Sequence, residues 1–137
     1  MAILSAAELN QQAGLSYVRG TYYVALLNSA NNYDSTINYG SVTANEVPAG
    51  TGGYARLSYT YINADLLAYA NGQPLSDKIA NFVHDGSAQD ITFTHVALLR
   101  LVSSTYTVVG VQSVGETVIL SNGDTASITI RFLHGRP

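Results

Sequence analysis

Residues 125–132, TASITIRF, place Ala126, Ile128, Ile130 and Phe132 on one side of an extended chain and Ser127, Thr129 and Arg131 on the other. A half-buried strand requires this period of two, because successive side chains point to opposite faces of a sheet. The same pattern recurs in YARLSYTYI, with Leu57, Tyr59 and Tyr61 opposed to Arg56, Ser58 and Thr60. A helix would scatter these apolar residues around its circumference, so the alternation commits both segments to β-structure. Just before residue 125 stands SNGD, whose Asn122-Gly123 pair is a strong hairpin signal, since both residues tolerate positive φ.

Other segments agree. TYYVALLNS, Thr21 to Ser29, is apolar without interruption and lacks helix caps, which suits a strand buried on both faces. QDITFTHVALLRLVSS is too long for one sheet unless it bends, and YTVVGVQSV and ETVILS read as two further strands. A short strand is expected near Tyr39 to Thr43, inside an otherwise polar loop running from Ala30 to Gly53. Residues 63–87 are ambiguous, with a helical turn or a short strand expected before Gly72 and another strand at Ile79 to Val83. Only at the N-terminus does a helix signal stand out, where Ser5 and Glu8 have capping-box spacing and Gly14 is a natural stop. Many short strands without regular βαβ alternation predict an all-β fold, an antiparallel β-sandwich or jelly roll with one short N-terminal helix. The expected organisation is an N-terminal arm, 1–20, and a single β-sandwich domain, 21–137.

Charged residues make up only 11% of the chain, against roughly 25% in ordinary soluble domains. Asn, Ser, Thr, Gly and ten tyrosines take their place. Tyrosine buries a ring while its hydroxyl stays hydrated, which suits surfaces that meet other protein. The net charge of −3 and six scattered basic residues offer no stripe for displacing counterions, so no nucleic-acid partner is expected. No apolar run is long enough for a membrane-spanning helix, and the first residues lack the basic and apolar regions of a signal peptide. Synthesis in a cytoplasm is therefore expected. Without cysteine, neither disulfides nor a thiolate site can contribute.

The glycine cluster in EVPAGTGGYAR matches neither the dinucleotide fingerprint nor a P-loop, and a strand follows it where both would need a helix. It reads as a hinge into the strand. His84, His95 and His134 show no metal-ligand spacing, and no nucleophile elbow accompanies them. His84 reads as a turn residue and His95 as a strand residue. The nine carboxylates form no calcium loop. No catalytic residue, cofactor or metal is expected, and the chain is read as non-enzymatic.

Four segments, YYVALLNS, EVPAGTGGYAR, ITFTHVALLR and GVQSVGETVILSNGDTASITIRF, occur in an order that resembles the small virion structural proteins of tailed bacteriophages. The resemblance implies a β-sandwich that assembles on a phage particle. Its implied role is a capsid decoration (cement) protein bridging shell subunits, with a tail or head-fibre adaptor as the alternative. The implied location is the virion. Implied partners are further copies of the chain, a homotrimer being favoured, and the major capsid protein or another virion protein. Tyr17, Tyr22, Tyr33, Tyr39, Tyr54, Arg56, Tyr59 and Tyr61 are the expected assembly contacts.

Overall fold

The computed structural model describes residues 2–4, 21–28, 37–60 and 78–130. The expected N-terminal helix lies outside these residues, as do Tyr17, Tyr33, Tyr61, Arg131 and Phe132. Among the described residues the chain is all-β and antiparallel, with a single short α-helix. Its strands are β1 (Ala2–Leu4), β2 (Thr21–Leu27), β3 (Leu57–Tyr59), β4 (Lys78–Val83), β5 (Ile91–Val102), β6 (Thr105–Leu120) and β7 (Thr125–Ile130). Five form one sheet in the order β1-β6-β5-β2-β3, while β4 and β7 pair in a second.

The β2–β5 ladder runs without a break from Thr21↔Leu101 to Leu27↔His95. Val24 to Leu27 and Val96 to Leu99 are all buried, so both faces of this ladder are covered, as the unbroken apolar run of β2 requires. On one face Tyr22, Val24, Leu26, Val96 and Leu98 meet Ala80, Phe82, Ile128 and Ile130 of the small sheet. That packing makes the fold sandwich-like. On the opposite face Ala25, Leu27, Ala97 and Leu99 pack with Ile37 and Val42, and Tyr23, Tyr39 and Tyr106 close over them.

Val42 belongs to the helix α1 (Tyr39–Asn45), in the place where a short strand was expected. Asn38 caps it, its side-chain oxygen accepting the Ser41 amide at 2.9 Å. A polar segment with one buried residue carries no period of its own, so the cap and the waiting apolar face decide its conformation.

β5 and β6 form one long hairpin that bends by breaking register. Between the Phe93↔Val118 and His95↔Ser113 pairs, one residue of β5 opposes four of β6, and Gly115 supplies a φ of 86° there. The two strands expected over residues 106–121 are thus one irregular strand. At a second irregularity, Val109 is an extra residue between Leu98↔Gly110 and Leu99↔Val108. It lets Val108 and Val111 share the helix-side core while Val109 joins the other.

The expected alternation holds in β7, where Ile128 and Ile130 are buried and Ser127 is exposed. Asn122 and Gly123 do adopt positive φ, 49° and 85°, and the Asp124 amide closes the turn on the Ser121 carbonyl at 2.9 Å. This turn does not join a hairpin, however. β6 stays in the five-stranded sheet and β7 pairs with β4, from Val83↔Thr125 to Lys78↔Ile130. A two-residue turn dictates a reversal of direction, whereas the choice of partner strand depends on where Ile128 and Ile130 can be buried.

At the tip of the β5–β6 hairpin, Ser103 and Ser104 both have positive φ, 49° and 65°, between the paired residues Val102 and Thr105. A two-residue turn of this kind favours Asn-Gly, and a left-handed serine is strained. Replacing Ser103 with Asn and Ser104 with Gly should stabilise the chain by about 1 kcal/mol and raise Tm by about 3–5 °C in a thermal melt.

Candidate functional site around Glu46 and Arg56

In a chain with few charges, one acid and one base flank the glycine turn, and the fold brings them together. A β-bridge between Leu27 and Glu46, made by two main-chain hydrogen bonds, pins the start of this segment to the end of β2. The Asn28 amide donates to the Asn45 carbonyl and the Val47 amide donates to the Leu26 carbonyl, each at 2.9 Å. The chain then reverses through Gly50, Gly52 and Gly53, whose φ values are 89°, 57° and 80°. The amides of Gly50, Thr51, Gly53 and Tyr54 donate to the carbonyls of Tyr54, Pro48, Gly50 and Thr51. Amides spent in this way cannot cradle a phosphate.

A Cβ on Gly52 would lie 2.6 Å from Cδ2 of His84 and 2.8 Å from Cγ1 of Ile91. One on Gly53 would lie 2.9 Å from Cβ of Asp85. These glycines therefore do more than hinge the chain into β3. They admit the His84–Asp85 segment against the turn, where the Asp85 amide donates to the Gly52 carbonyl at 2.9 Å.

The reversal returns Tyr54 and Arg56 to Glu46. Arg56 donates from Nε to Oε2 at 2.9 Å and from Nη2 to Oε1 at 2.7 Å, a bidentate pairing whose side chains are 19% and 13% exposed. The Tyr54 hydroxyl donates to the same Oε2 at 2.6 Å and accepts the Leu26 amide at 3.1 Å. The remaining guanidinium nitrogen, Nη1, donates to the Tyr39 hydroxyl at 3.0 Å. Arg56 also stands 5.3 Å from the Tyr39 ring centre and 5.2 Å from that of Tyr106, and these two rings stack at 4.8 Å. Tyr23 meets Tyr106 edge-on at 5.7 Å.

Burial alone would raise the Glu46 pKa, but the hydrogen bonds from Arg56 and Tyr54 and the charge of Arg56 outweigh it and hold the carboxyl below its ordinary range. Burial, and then donation to Glu46, push the Tyr54 phenol well above its ordinary value. Donation to Glu46 raises Arg56 further still, against the opposing effect of burial. Glu46 is thus a firmly ionised carboxylate held by three donors, poorly suited to accept a proton in catalysis. The arrangement is a clamp. A half-open cavity of about 460 Å³ lies beside it, lined by Thr43, Pro48, Tyr54 and Arg56 among others.

Of the expected contact residues, Tyr39, Tyr54 and Arg56 converge on this clamp. Tyr22 and Tyr59 lie elsewhere, stacked on each other at 5.4 Å against the other core. Two expectations need correction. Tyr22 is 0% exposed and Tyr54 4%, so neither ring has surface to offer a partner. Their hydrophobic area is better buried inside the chain, where strand alternation places it. Tyr39, Arg56 and Tyr59 are half-buried. The sequence reading missed Glu46, Tyr23 and Tyr106. Glu46 carried the clearest signal, being the acid nearest before a glycine turn that an arginine follows.

His84, expected as a turn residue, is buried. Its Nε2–H donates to the Gln89 carbonyl at 2.7 Å, and its Nδ1 accepts the Gly86 amide at 2.9 Å. Both nitrogens are engaged. Among the described residues, no group of three His, Asp or Glu is placed to hold a metal ion, and no helix is long and apolar enough to cross a membrane. Comparison of the chain with protein families, curated proteins and solved structures found no match.

Replacing Glu46 with Gln leaves Arg56 partly buried and uncompensated, and should cost about 2–4 kcal/mol in urea unfolding. Since folding holds Glu46 below its ordinary value near 4.5, its contribution is complete above that pH and drains away as pH falls through the folded value. Wild-type stability should therefore decline in this acid range, and the Glu46→Gln chain should lose that part of the decline. Gly52→Ala should destabilise by about 2–4 kcal/mol, because it adds a methyl against the His84 ring at a φ only glycine adopts freely.

Proposed function

We propose that this chain is a non-enzymatic structural protein of a tailed-phage virion, acting as a capsid decoration protein that bridges neighbouring shell subunits. One observation carries the non-enzymatic part. In EVPAGTGGYAR, the base and the phenol both donate to the acid, four turn amides donate to the segment's own carbonyls, and together they hold a loop in place. The groups most capable of chemistry are consumed in maintaining shape. The virion part rests on the ordered resemblance of four segments to phage structural proteins.

The outward face of the small sheet is compatible with docking. Ile79, Asn81 and Val83 of β4 are exposed beside Thr125 and Ser127 of β7, and none of the five is charged. Such a face loses little hydration when covered, and repeated copies on a symmetric shell would multiply modest contacts into firm attachment. A homotrimer is the assembly state in this proposal.

Quantitative mass spectrometry of purified particles and light scattering of the isolated chain test the reading together. Shell decoration predicts a copy number that follows the capsid lattice, a trimer in solution and co-sedimentation with DNA-free shells. A copy number matching tail symmetry would move the chain to a tail adaptor. A stable monomer with no affinity for any particle component would overturn the virion assignment.

A further inference from the structure

His84 joins three loops at one end of the molecule. Its main-chain N–H donates to the Asp124 carbonyl at 2.9 Å, tying it to the turn before β7. Its ring edge lies against Gly52, too close for any side chain there. Its two ring nitrogens close the loop 84–90 on itself, through Gly86 on one side and Gln89 on the other. Those partners assign the tautomer. A carbonyl can only accept, so Nε2 carries the hydrogen; an amide N–H can only donate, so Nδ1 presents a lone pair.

We infer that His84 is a proton-sensitive latch: the closed loops accept only the neutral ring, and acidification releases residues 84–90 from the glycine turn 50–53. A proton on Nδ1 would set N–H against the Gly86 N–H across 2.9 Å in a buried site, exchanging a hydrogen bond for a repulsion. The ring cannot slide toward the glycine turn to relieve this, because its edge already lies against Gly52. It takes the proton by swinging out to water, which breaks both ring bonds and frees the Asp85 amide from Gly52.

The ionisable groups around the ring do not remove the conflict. The 3-10 turn Thr51–Gly53 and the first residues of β5 contribute none. Asp124 meets His84 through its carbonyl, and its carboxylate is turned to the Ser121 amide. Asp90 is exposed in the same loop. Asp85 is the carboxylate that favours a cationic ring, but it is exposed and already accepts the Ser87 amide at 2.9 Å. Solvent screens its charge, while the Nδ1 conflict is a direct contact. The Glu46–Arg56 clamp lies beyond Tyr54 and limits the opening to this end of the molecule.

Amide hydrogen exchange of the full chain from pH 8 to pH 5, corrected for intrinsic exchange, tests the latch, with ring ¹⁵N shifts of His84 recorded alongside. At pH 8 the ring shifts should report the Nε2–H tautomer. As the pH is lowered, protection at Asp85 and Gly86 should fall by up to about tenfold per pH unit, the limit for a one-proton opening, while Val47 stays protected. His84→Asn keeps an acceptor near the Gly86 amide without titrating, and should show a lower but flat protection profile. An Nδ1–H tautomer at pH 8, unchanged protection at Asp85 and Gly86, or an equal loss at Val47 would each overturn the inference. If the Asn variant does not fold, the wild-type profile decides alone.

Discussion

The β2–β5 ladder sets the terms for everything around it. Seven consecutive pairs, from Thr21↔Leu101 to Leu27↔His95, join two strands whose central side chains are apolar on both faces. A sheet with two apolar faces needs two covers, since either face left in water would forfeit about 25 cal/mol for each Å² of apolar surface. One cover is the β4–β7 sheet, which meets β2 through Ala80, Phe82, Ile128 and Ile130. The other is assembled from α1, including Tyr39, with Ile37 and Tyr106. This second cover is a short helix on a polar loop and has little stability of its own.

The Glu46–Arg56 clamp supplies what that cover lacks. It ties the residue after α1 to the segment leading into β3, and through the Tyr54 hydroxyl to the main chain of β2. Partly buried ion pairs often contribute little net stability, because desolvation offsets much of the attraction. Here the geometry is bidentate and the phenol donates as a third partner, so the carboxylate is well satisfied. The result is a unique loop position, with Tyr39 and Tyr106 stacked under the guanidinium. The same saturation leaves the clamp without a free acid or base.

Much of the architecture was legible from local pattern. Period-two alternation identified β7 and β3, and the unbroken apolar run of β2 announced burial on both faces. Asn122-Gly123 marked a true reversal. What local pattern could not assign was partnership. The same turn that signals a hairpin instead carries the chain from one sheet to the other, because pairing depends on residues some fifty positions away, as in Lys78↔Ile130. The helix α1 escaped for a related reason, since a polar segment with one buried valine has no period to read. Tyr22 and Tyr54 were expected at a surface because tyrosine composition speaks of amphipathic rings in general and cannot say which rings find a core.

The sequence by itself determined an all-β chain, sparing in charge, with positive-φ residues placed where it must turn. These are properties of single residues and their neighbours, and they survive in any fold the chain adopts. Only the tertiary structure decided that Glu46 meets Arg56 across ten residues, that His84 is buried against Gly52, and that β6 and β7 part company. Each of those outcomes is a contact between segments whose separation in sequence sets no distance in space. The glycines show the difference most plainly: sequence marks them as permissive, whereas packing against His84 and Asp85 makes two of them obligatory.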